Sequence, residues 1–269
     1  MNEIILECKN LCKTFEKNGN KIKAVDNVSL SLKKGECFGL VGESGSGKST
    51  LSNLICLLEK ADSGKIIFDG KEIFDSSEKN GKIDKKNKLS AKELKDFRRR
   101  FQIIFQDPYA SLNPKKKIIQ ILEEPLKIHK IGKTKEERLF LINEMRTLTG
   151  LPPDILQKFP SELSGGQRQR VSIASSMILK PDFVILDESV SALDVLVQAQ
   201  VLNLLKSMQK SLNLTYFFIS HNLNVVSYMA DRIAVMYKGK IVEENTTEQI
   251  IENPEHFYTK ELLDAAEIK

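Results

Sequence analysis

The sequence predicts an α/β fold in which parallel strands alternate with helices. An apolar strand at 36–41 runs directly into a glycine-rich loop and a helix. Strand and helix patterns alternate again over 183–237, whereas the intervening stretch 107–180 shows helical spacing only. Because strand–helix–strand order requires crossover connections, the sheet should be parallel. The helical stretch should then be an insertion into the α/β core.

The individual elements follow from the period of the apolar residues and from turn and capping residues. Strands are predicted at 3–9, 25–32, 36–41, 65–68, 101–105, 183–186, 215–219 and 233–237. Helices are predicted at 49–58, 91–100, 118–128, 135–149, 167–179, 195–211 and 222–230, with tail helices near 247–252 and 256–265. Ser90 should cap the helix that ends at Arg100, with Glu93 completing a capping box.

The same pattern divides the chain into four parts. The predicted parts are the first part of the α/β core at 1–106, a helical subdomain at 107–180, the second part of the core at 181–245 and tail helices at 246–269. Residues 75–90 are polar and almost without apolar periodicity, which is typical of a mobile surface insertion.

Size and composition are those of an ordinary globular protein. The chain has 269 residues, of which 41% are hydrophobic and 29% charged, enough for one large domain or one split into two lobes. The longest apolar runs, such as 183–186, are too short to cross a bilayer, and the first ten residues show no secretory signal. We therefore expect a cytoplasmic protein that reaches a membrane only through a partner.

Neither the cysteines nor the lysines indicate a binding site. The cysteines are Cys8, Cys12, Cys37 and Cys56. Cys8 and Cys12 could belong to a metal site, but no histidine or further cysteine lies near them, so reduced, mostly buried thiols are the simpler interpretation. The net charge of +5 is mild, and the lysine runs at 79–95 and 115–117 lack interleaved aromatic residues. This favours a solvated surface over a nucleic-acid site.

The glycine-rich loop at 42–49 matches the phosphate-binding pattern GxxxxGK[ST]. Its glycines let several backbone N–H groups point at phosphate oxygens, and the helix that follows adds its positive end. Lys48 should reach the β- and γ-phosphates, and the Ser49 hydroxyl should bind Mg²⁺. The residues expected to bind nucleotide here are Gly42, Glu43, Ser44, Gly45, Ser46, Gly47, Lys48, Ser49 and Thr50.

Two carboxylates end the buried strand at 183–186. Asp187 should hold Mg²⁺ through water, and Glu188 is the candidate general base that polarises the attacking water. Such a pair can also be the solvated end of a strand, an alternative that the phosphate loop makes much weaker.

A third motif, Leu163-Ser164-Gly165-Gly166-Gln167, resembles the signature of the ATP-binding cassette (ABC) ATPases. We expect Ser164 and the two glycines to precede a helix that starts near Gln167, so that free N–H groups and the helix dipole form a second anion site. The resemblance implies a P-loop NTPase (RecA-like) α/β core with an antiparallel β subdomain and an inserted α-helical subdomain. It also implies ATP as substrate, and a head-to-tail dimer in which Ser164, Gly165, Gly166 and Gln167 meet the γ-phosphate bound by the partner.

Further positions agree with this resemblance. It implies that Gln106 contacts Mg²⁺ and the attacking water, that 191–194 crosses to the partner subunit, and that His221 senses the γ-phosphate. Phe15 lies where the family places an aromatic that stacks on adenine, although a core aromatic remains an alternative for it. Ser189 departs from the family, because many members have proline there, and serine should leave this loop less rigid.

Several stretches are similar to the ATPases of oligopeptide, dipeptide and nickel importers, and the form of 107–114 is similar in particular to their F-type subunit. The stretches are 104–114, 188–195, 198–201 and the C-terminal motif at 254–260. The resemblance implies uptake of oligopeptides or dipeptides, with a nickel or metal-chelate importer as the alternative. It also implies a non-identical ATPase partner, two transmembrane permeases and an extracytoplasmic solute-binding protein, and therefore a position on the cytoplasmic face of the cell membrane.

Two other classes of function fit the sequence less well. A soluble ABC ATPase that acts on nucleic acid usually has two cassettes, a long coiled-coil insertion or zinc-binding cysteines, and we expect no nucleic-acid partner here. A regulatory cassette without hydrolysis conflicts with the presence of Lys48, Asp187, Glu188 and His221.

Overall fold

The computed structural model describes residues 3–17, 19–76, 78–79, 82–83, 86–87, 89–105, 107, 111–191 and 193–267. The strands are β1 Ile4–Lys17, β2 Asn20–Lys33, β3 Cys37–Val41, β4 Ser63–Phe68, β5 Lys71–Asp75, β6 Glu78–Lys79, β7 Lys82–Ile83, β8 Lys86–Asn87, β9 Phe101–Ile104, β10 Phe183–Asp187, β11 Thr215–Ile219, β12 Arg232–Tyr237 and β13 Lys240–Thr246. The α-helices are α1 Lys48–Ile55, α2 Ala91–Arg100, α3 Ile118–His129, α4 Lys135–Leu148, α5 Gly165–Met177, α6 Val195–Leu212, α7 Leu223–Met229, α8 Thr247–Glu252 and α9 Phe257–Ala265.

The chain forms two compact units. The first unit comprises Met1–Glu93 and Thr215–Lys269, and the second unit is the continuous segment Leu94–Leu214. Among the helices that the structure describes, none combines the length and the apolar character needed to cross a membrane.

The first unit contains an antiparallel sheet with the order β2-β1-β4-β5-β8. β1 and β2 pair over most of their length, from Ile4 opposite Lys33 to Lys17 opposite Asn20. The prediction of a strand at 3–9 was therefore too short, because Phe15 and its neighbours continue the pairing through several irregularities in register. This sheet is the antiparallel β part of the predicted fold.

Four further strands of the first unit pair side by side in the order β13-β12-β3-β11. β3 pairs in parallel with β11 on one side and β12 on the other, and β13 adds an antiparallel edge next to β12. Every residue of β3 and β11 is buried, as expected for strands covered on both faces. The predicted parallel arrangement is confirmed for these strands.

In the second unit β9 and β10 pair in parallel, with Phe183 opposite Phe101. The rings of Phe97, Phe101 and Phe183 stack at centroid distances of 4.8 and 4.7 Å. Between β9 and β10 the described residues form helices and turns, as predicted. The Arg138 Nε donates to Glu123 Oε1 at 2.9 Å and links α3 to α4.

Of two helix starts predicted from the sequence, one is confirmed and one is wrong. The capping box of α2 is confirmed, since Ser90 N–H donates to Glu93 Oε2 at 2.8 Å and Glu93 N–H donates to Ser90 Oγ at 3.3 Å. The predicted start of the signature helix near Gln167 is wrong, because α5 begins at Gly165. Within the predicted insertion at 75–90 the described residues include the short strands β6, β7 and β8, whereas 77, 80–81, 84–85 and 88 lie outside the described residues.

Candidate active site

The phosphate loop connects β3 to α1 and requires glycine at two crowded positions. Gly42 has φ of 153° and Gly47 has φ of 111°. A Cβ atom at Gly42 would lie 2.2 Å from the Met236 carbonyl oxygen, and one at Gly47 would lie 2.1 Å from the Ala24 carbonyl oxygen. Neighbouring backbone therefore closes around the loop, and no side chain larger than hydrogen fits at either position.

The first turn of α1 is open to an anion. Its N-cap, Gly47, provides no side-chain hydrogen bond, and the first turn contains no acidic residue. The first N–H groups of a helix have no partners within the helix and carry the positive end of its dipole. This arrangement is the one that binds phosphate groups in proteins.

Lys48 is held inside the loop. Its side chain is 5% exposed, and its ammonium donates to the carbonyl oxygens of Gly42 at 2.7 Å and Glu43 at 2.9 Å. Ser46 is also buried, and its Oγ has no hydrogen-bond partner among the described residues. A buried hydroxyl without a partner is unfavourable, so Ser46 offers an unused donor within the loop.

The acidic pair lies in the second unit, at the end of β10. Asp187 is the last residue of the strand, and Glu188 follows in the left-handed region with φ of 46°. Ser191 donates its backbone N–H and its hydroxyl to the Glu188 carbonyl oxygen, at 3.1 and 2.9 Å. Ser189, where many family members have proline, is buried and its Oγ has no hydrogen-bond partner among the described residues.

The signature residues cap α5. Ser164 Oγ accepts the N–H of Gln167 at 3.3 Å, and Gln167 Oε1 accepts the N–H of Ser164 at 3.1 Å. Gly165 and Gly166 form the first turn of the helix rather than a loop before it. A Cβ at Gly166 would lie 2.6 Å from Val197 Cγ1 of α6. The capping box therefore fixes the helix end that carries the signature.

His221 lies at the same sheet edge as the phosphate loop. In the parallel pairing Ile219 is opposite Leu40, and Ser220 N–H donates to the Leu40 carbonyl oxygen at 3.2 Å. Val41 and His221 line one cavity of about 330 Å³ with residues of α7 and α9. The structure thus brings His221 close to the start of the loop.

Phe15 is an exposed aromatic of β1. Its side chain is 40% exposed, and the Lys13 ammonium lies 5.1 Å from the ring centroid. The alternative of a core aromatic is therefore wrong for Phe15. Gln106, which the resemblance places at Mg²⁺ and the attacking water, lies outside the described residues.

Comparisons with known proteins show the family to which this chain belongs. The family model described as ABC transporter matches residues 25–191, more than half of the chain. The chain belongs to the ABC transporter family. It is an ABC ATPase, and ATP binding follows from that membership.

Relatives of this ABC ATPase are similar over nearly its whole length. The oligopeptide transport ATP-binding protein OppF of Bacillus subtilis is 46% identical over 98% of this chain and 83% of the relative. The oligopeptide transport ATP-binding protein AmiF of Streptococcus pneumoniae is 48% identical over 100% of this chain and 83% of the relative.

Solved structures of ABC cassettes share the fold. A dimeric ATP-binding cassette in a post-hydrolysis state with ADP and Pi has a TM-score of 0.76 at 30% identity, covering 90% of this chain and 99% of that chain. CbiO1 of Clostridium perfringens, part of an ABC transporter complex, has a TM-score of 0.77 at 25% identity, covering 99% and 96%.

One contact of the ABC phosphate loop was missed from the sequence. The backbone N–H of Glu43 donates to the hydroxyl oxygen of Tyr258 on α9 at 2.8 Å. Burial raises the pKa of Tyr258, so its hydroxyl remains neutral. The two residues are 215 positions apart. The resemblance of 254–260 to a C-terminal motif was the available signal, but it does not indicate what the tyrosine contacts.

Proposed function

We propose that the chain is the ATP-hydrolysing subunit of an ABC importer that takes up oligopeptides or dipeptides. The observation that carries the proposal is the phosphate loop, in which crowded glycines hold the buried Lys48 at the start of α1. The relatives named as oligopeptide transport ATP-binding proteins support the peptide substrate.

The triphosphate of ATP would lie in the phosphate loop. The donors are the backbone N–H groups at the start of α1, the Lys48 ammonium and the free Ser46 hydroxyl. The exposed ring of Phe15 would stack on adenine.

Mg²⁺ fits the oxygen donors of the proposed site. The Ser49 hydroxyl would bind it directly and the Asp187 carboxylate through water, with Gln106 as a further ligand. Mg²⁺ prefers such hard oxygen ligands and keeps several waters. When bound, it neutralises charge on the phosphate oxygens.

Hydrolysis would use four residues predicted from the sequence. Glu188 would accept the proton of the attacking water, Gln106 would orient that water, and His221 would sense the γ-phosphate. Lys48 would stabilise charge on the β- and γ-phosphates.

The signature residues would complete a partner's site. Ser164, with the N–H groups of Gly165 and Gly166, would contact the γ-phosphate bound by a second, non-identical ATPase subunit in a head-to-tail dimer. Two ATP molecules would then close the dimer, and hydrolysis with phosphate release would open it. Two permeases and an extracytoplasmic binding protein would complete the importer, which holds this chain on the cytoplasmic face of the membrane.

The proposed base is tested by Glu188→Gln in the assembled transporter. We expect ATP hydrolysis to fall by at least about 100-fold, in the range of lost general-base catalysis, while ATP stays bound and the dimer stays closed. Glu144→Gln, which changes a carboxylate on α4 paired with Lys180, is the control and should retain turnover. Unchanged hydrolysis in Glu188→Gln would exclude Glu188 as the base.

The substrate class needs its own measurement. ATPase activity of the transporter with its binding protein should rise with oligopeptides or dipeptides and should not respond to nickel or nickel chelates. Stimulation by nickel alone would replace the peptide proposal with the metal importer.

A further inference from the structure

The C-terminal motif is anchored to the edge strand β13 through one carboxylate. Glu243 accepts the backbone N–H of Glu255 at 2.9 Å and of His256 at 3.0 Å, and it also accepts the Thr259 hydroxyl. His256 is half-buried and caps α9, since its Nδ1 accepts the N–H of Tyr258 at 3.2 Å. These bonds fix the start of α9.

Tyr258 is a buried residue of this anchored turn. It is 2% exposed, and its ring stacks on Tyr237 of β12 at a centroid distance of 4.2 Å and an interplanar angle of 32°. The stack and the Glu243 bonds leave the hydroxyl at a fixed position, where it accepts the N–H of Glu43 at 2.8 Å.

Glu43 is a junction within the phosphate loop, because its N–H and its carbonyl oxygen both form hydrogen bonds. Its carbonyl oxygen accepts the Lys48 ammonium at 2.9 Å and the Ser46 N–H at 3.1 Å. The residue held by Tyr258 is therefore hydrogen-bonded directly to the Lys48 ammonium and to the backbone of Ser46, whose hydroxyl has no partner among the described residues.

We infer that Tyr258 is a positioning residue for ATP binding: its hydroxyl holds the Glu43 peptide, and through it Lys48 and Ser46, in the conformation that receives the triphosphate. The inference deepens the proposed function and rests on the proposed nucleotide site. Tyr258 acts through the loop backbone and not by contact with the nucleotide. The C-terminal motif thus becomes part of the machinery that binds ATP.

The test is Tyr258→Phe in the assembled transporter, because phenylalanine keeps the ring stack and removes only the hydroxyl. A lost hydrogen bond of ordinary strength should raise KM for ATP about three- to tenfold, while kcat at saturating ATP stays within about twofold. Tyr228→Phe, the same change at a tyrosine on α7 that is 47% exposed, is the control and should leave both constants unchanged. An unchanged KM in Tyr258→Phe overturns the inference.

Hydrogen exchange gives a second, direct measurement on the full chain. The peptide containing Glu43 should exchange faster in Tyr258→Phe than in the wild type and in Tyr228→Phe. Equal exchange overturns the inference as well. If Tyr258→Phe does not fold, Glu243→Gln keeps the hydroxyl but weakens its anchor and should raise KM by a smaller factor; an unchanged KM there also overturns the inference.

Lys48→Ala separates this inference from the proposed site. If Lys48→Ala retains wild-type affinity for ATP, the proposed nucleotide site is wrong. If Lys48→Ala loses ATP binding but Tyr258→Phe behaves as the wild type, only the positioning role of Tyr258 is wrong.

Discussion

Gly47 combines two constraints that occur separately elsewhere in the chain. Its φ of 111° disfavours any side chain, and backbone atoms fill the space where a Cβ would be. Gly70, in the turn after β4, has a positive φ of 74° but nothing within 4 Å of its Cβ position. Comparing substitutions at Gly47 and Gly70 therefore separates the effect of crowding in the phosphate loop from the effect of backbone strain.

We predict that Gly70→Ala lowers the free energy of unfolding by about 1–2 kcal/mol, the cost of a left-handed alanine, and leaves ATP affinity unchanged. Gly47→Ala should cost more than about 3 kcal/mol, because the Ala24 backbone must also move, and should abolish ATP binding. Urea unfolding and nucleotide titration measure the two effects. Equal losses of stability in both variants would show that crowding at Gly47 is unimportant.

At the scale of single residues, the sequence predicts features whose residues are contiguous in the chain. The phosphate loop follows from a run of eight residues whose pattern implies a backbone geometry, and its crowded glycines agree with that pattern. The contact between Tyr258 and Glu43 has no comparable signal, because tertiary folding alone brings the two together. The burial of Ser189 is likewise set by packing, which neither its polarity nor its neighbours indicate.

Two helices of the second unit begin with the same capping box. On α4, Thr134 Oγ1 accepts the N–H of Glu137 at 3.1 Å, and on α5 Ser164 Oγ accepts the N–H of Gln167 at 3.3 Å. The first box belongs to an ordinary helix, and the second belongs to the signature. A structural effect of capping can therefore be separated from a functional one.

We predict that Thr134→Ala and Ser164→Ala each lower the free energy of unfolding by about 1 kcal/mol, the usual cost of a lost N-cap. ATP hydrolysis by the assembled transporter should fall only in Ser164→Ala, because that hydroxyl also contacts the partner's nucleotide in the proposed dimer. Urea unfolding and steady-state turnover check this. Equal turnover in the two variants would indicate that Ser164 serves only as a cap.

At the scale of elements, a continuous run of apolar residues was enough to predict a strand, whereas polar strands near the sheet edges were not predicted. The buried strand β11 was predicted at its observed bounds, whereas β5 and β13 were missed. β13 is largely polar and follows a tight turn at Lys238-Gly239, where both residues have positive φ. A hairpin turn with lysine in place of the usual asparagine or aspartate is a weak signal. The start of α5 was misplaced because glycine has a low helix propensity, although a side-chain cap stabilises the helix start.

At the scale of the whole molecule, each proposed ATP site is shared between two subunits. The number of ATP sites lost through a pair of substitutions should therefore depend on which subunit carries each substitution. Lys48→Ala disables the site of this chain, and Ser164→Arg disables the partner's site. A dimer that carries both substitutions in this chain should have no intact ATP site. A dimer that carries Lys48→Ala in this chain and arginine at the partner's signature serine should keep one intact ATP site, because both changes affect the same site.

Retention of a radiolabelled non-hydrolysable ATP analogue after gel filtration counts the intact sites. We predict one retained nucleotide per transporter for the split arrangement and none for the arrangement on one chain. Equal retention in the two arrangements would contradict a head-to-tail dimer.

The order of strands around β3 has a consequence for biosynthesis. β3 leads into the phosphate loop, yet both of its sheet neighbours in the first unit, β11 and β12, and the hydroxyl that holds Glu43 come from Thr215–Lys269. At 5–20 residues per second, the 215 positions between Glu43 and Tyr258 take the ribosome roughly 10–40 s. The second unit is continuous and its contacts can form in that interval. A product terminated early carries the phosphate-loop residues without the strands and the hydroxyl that surround them in the proposed nucleotide site.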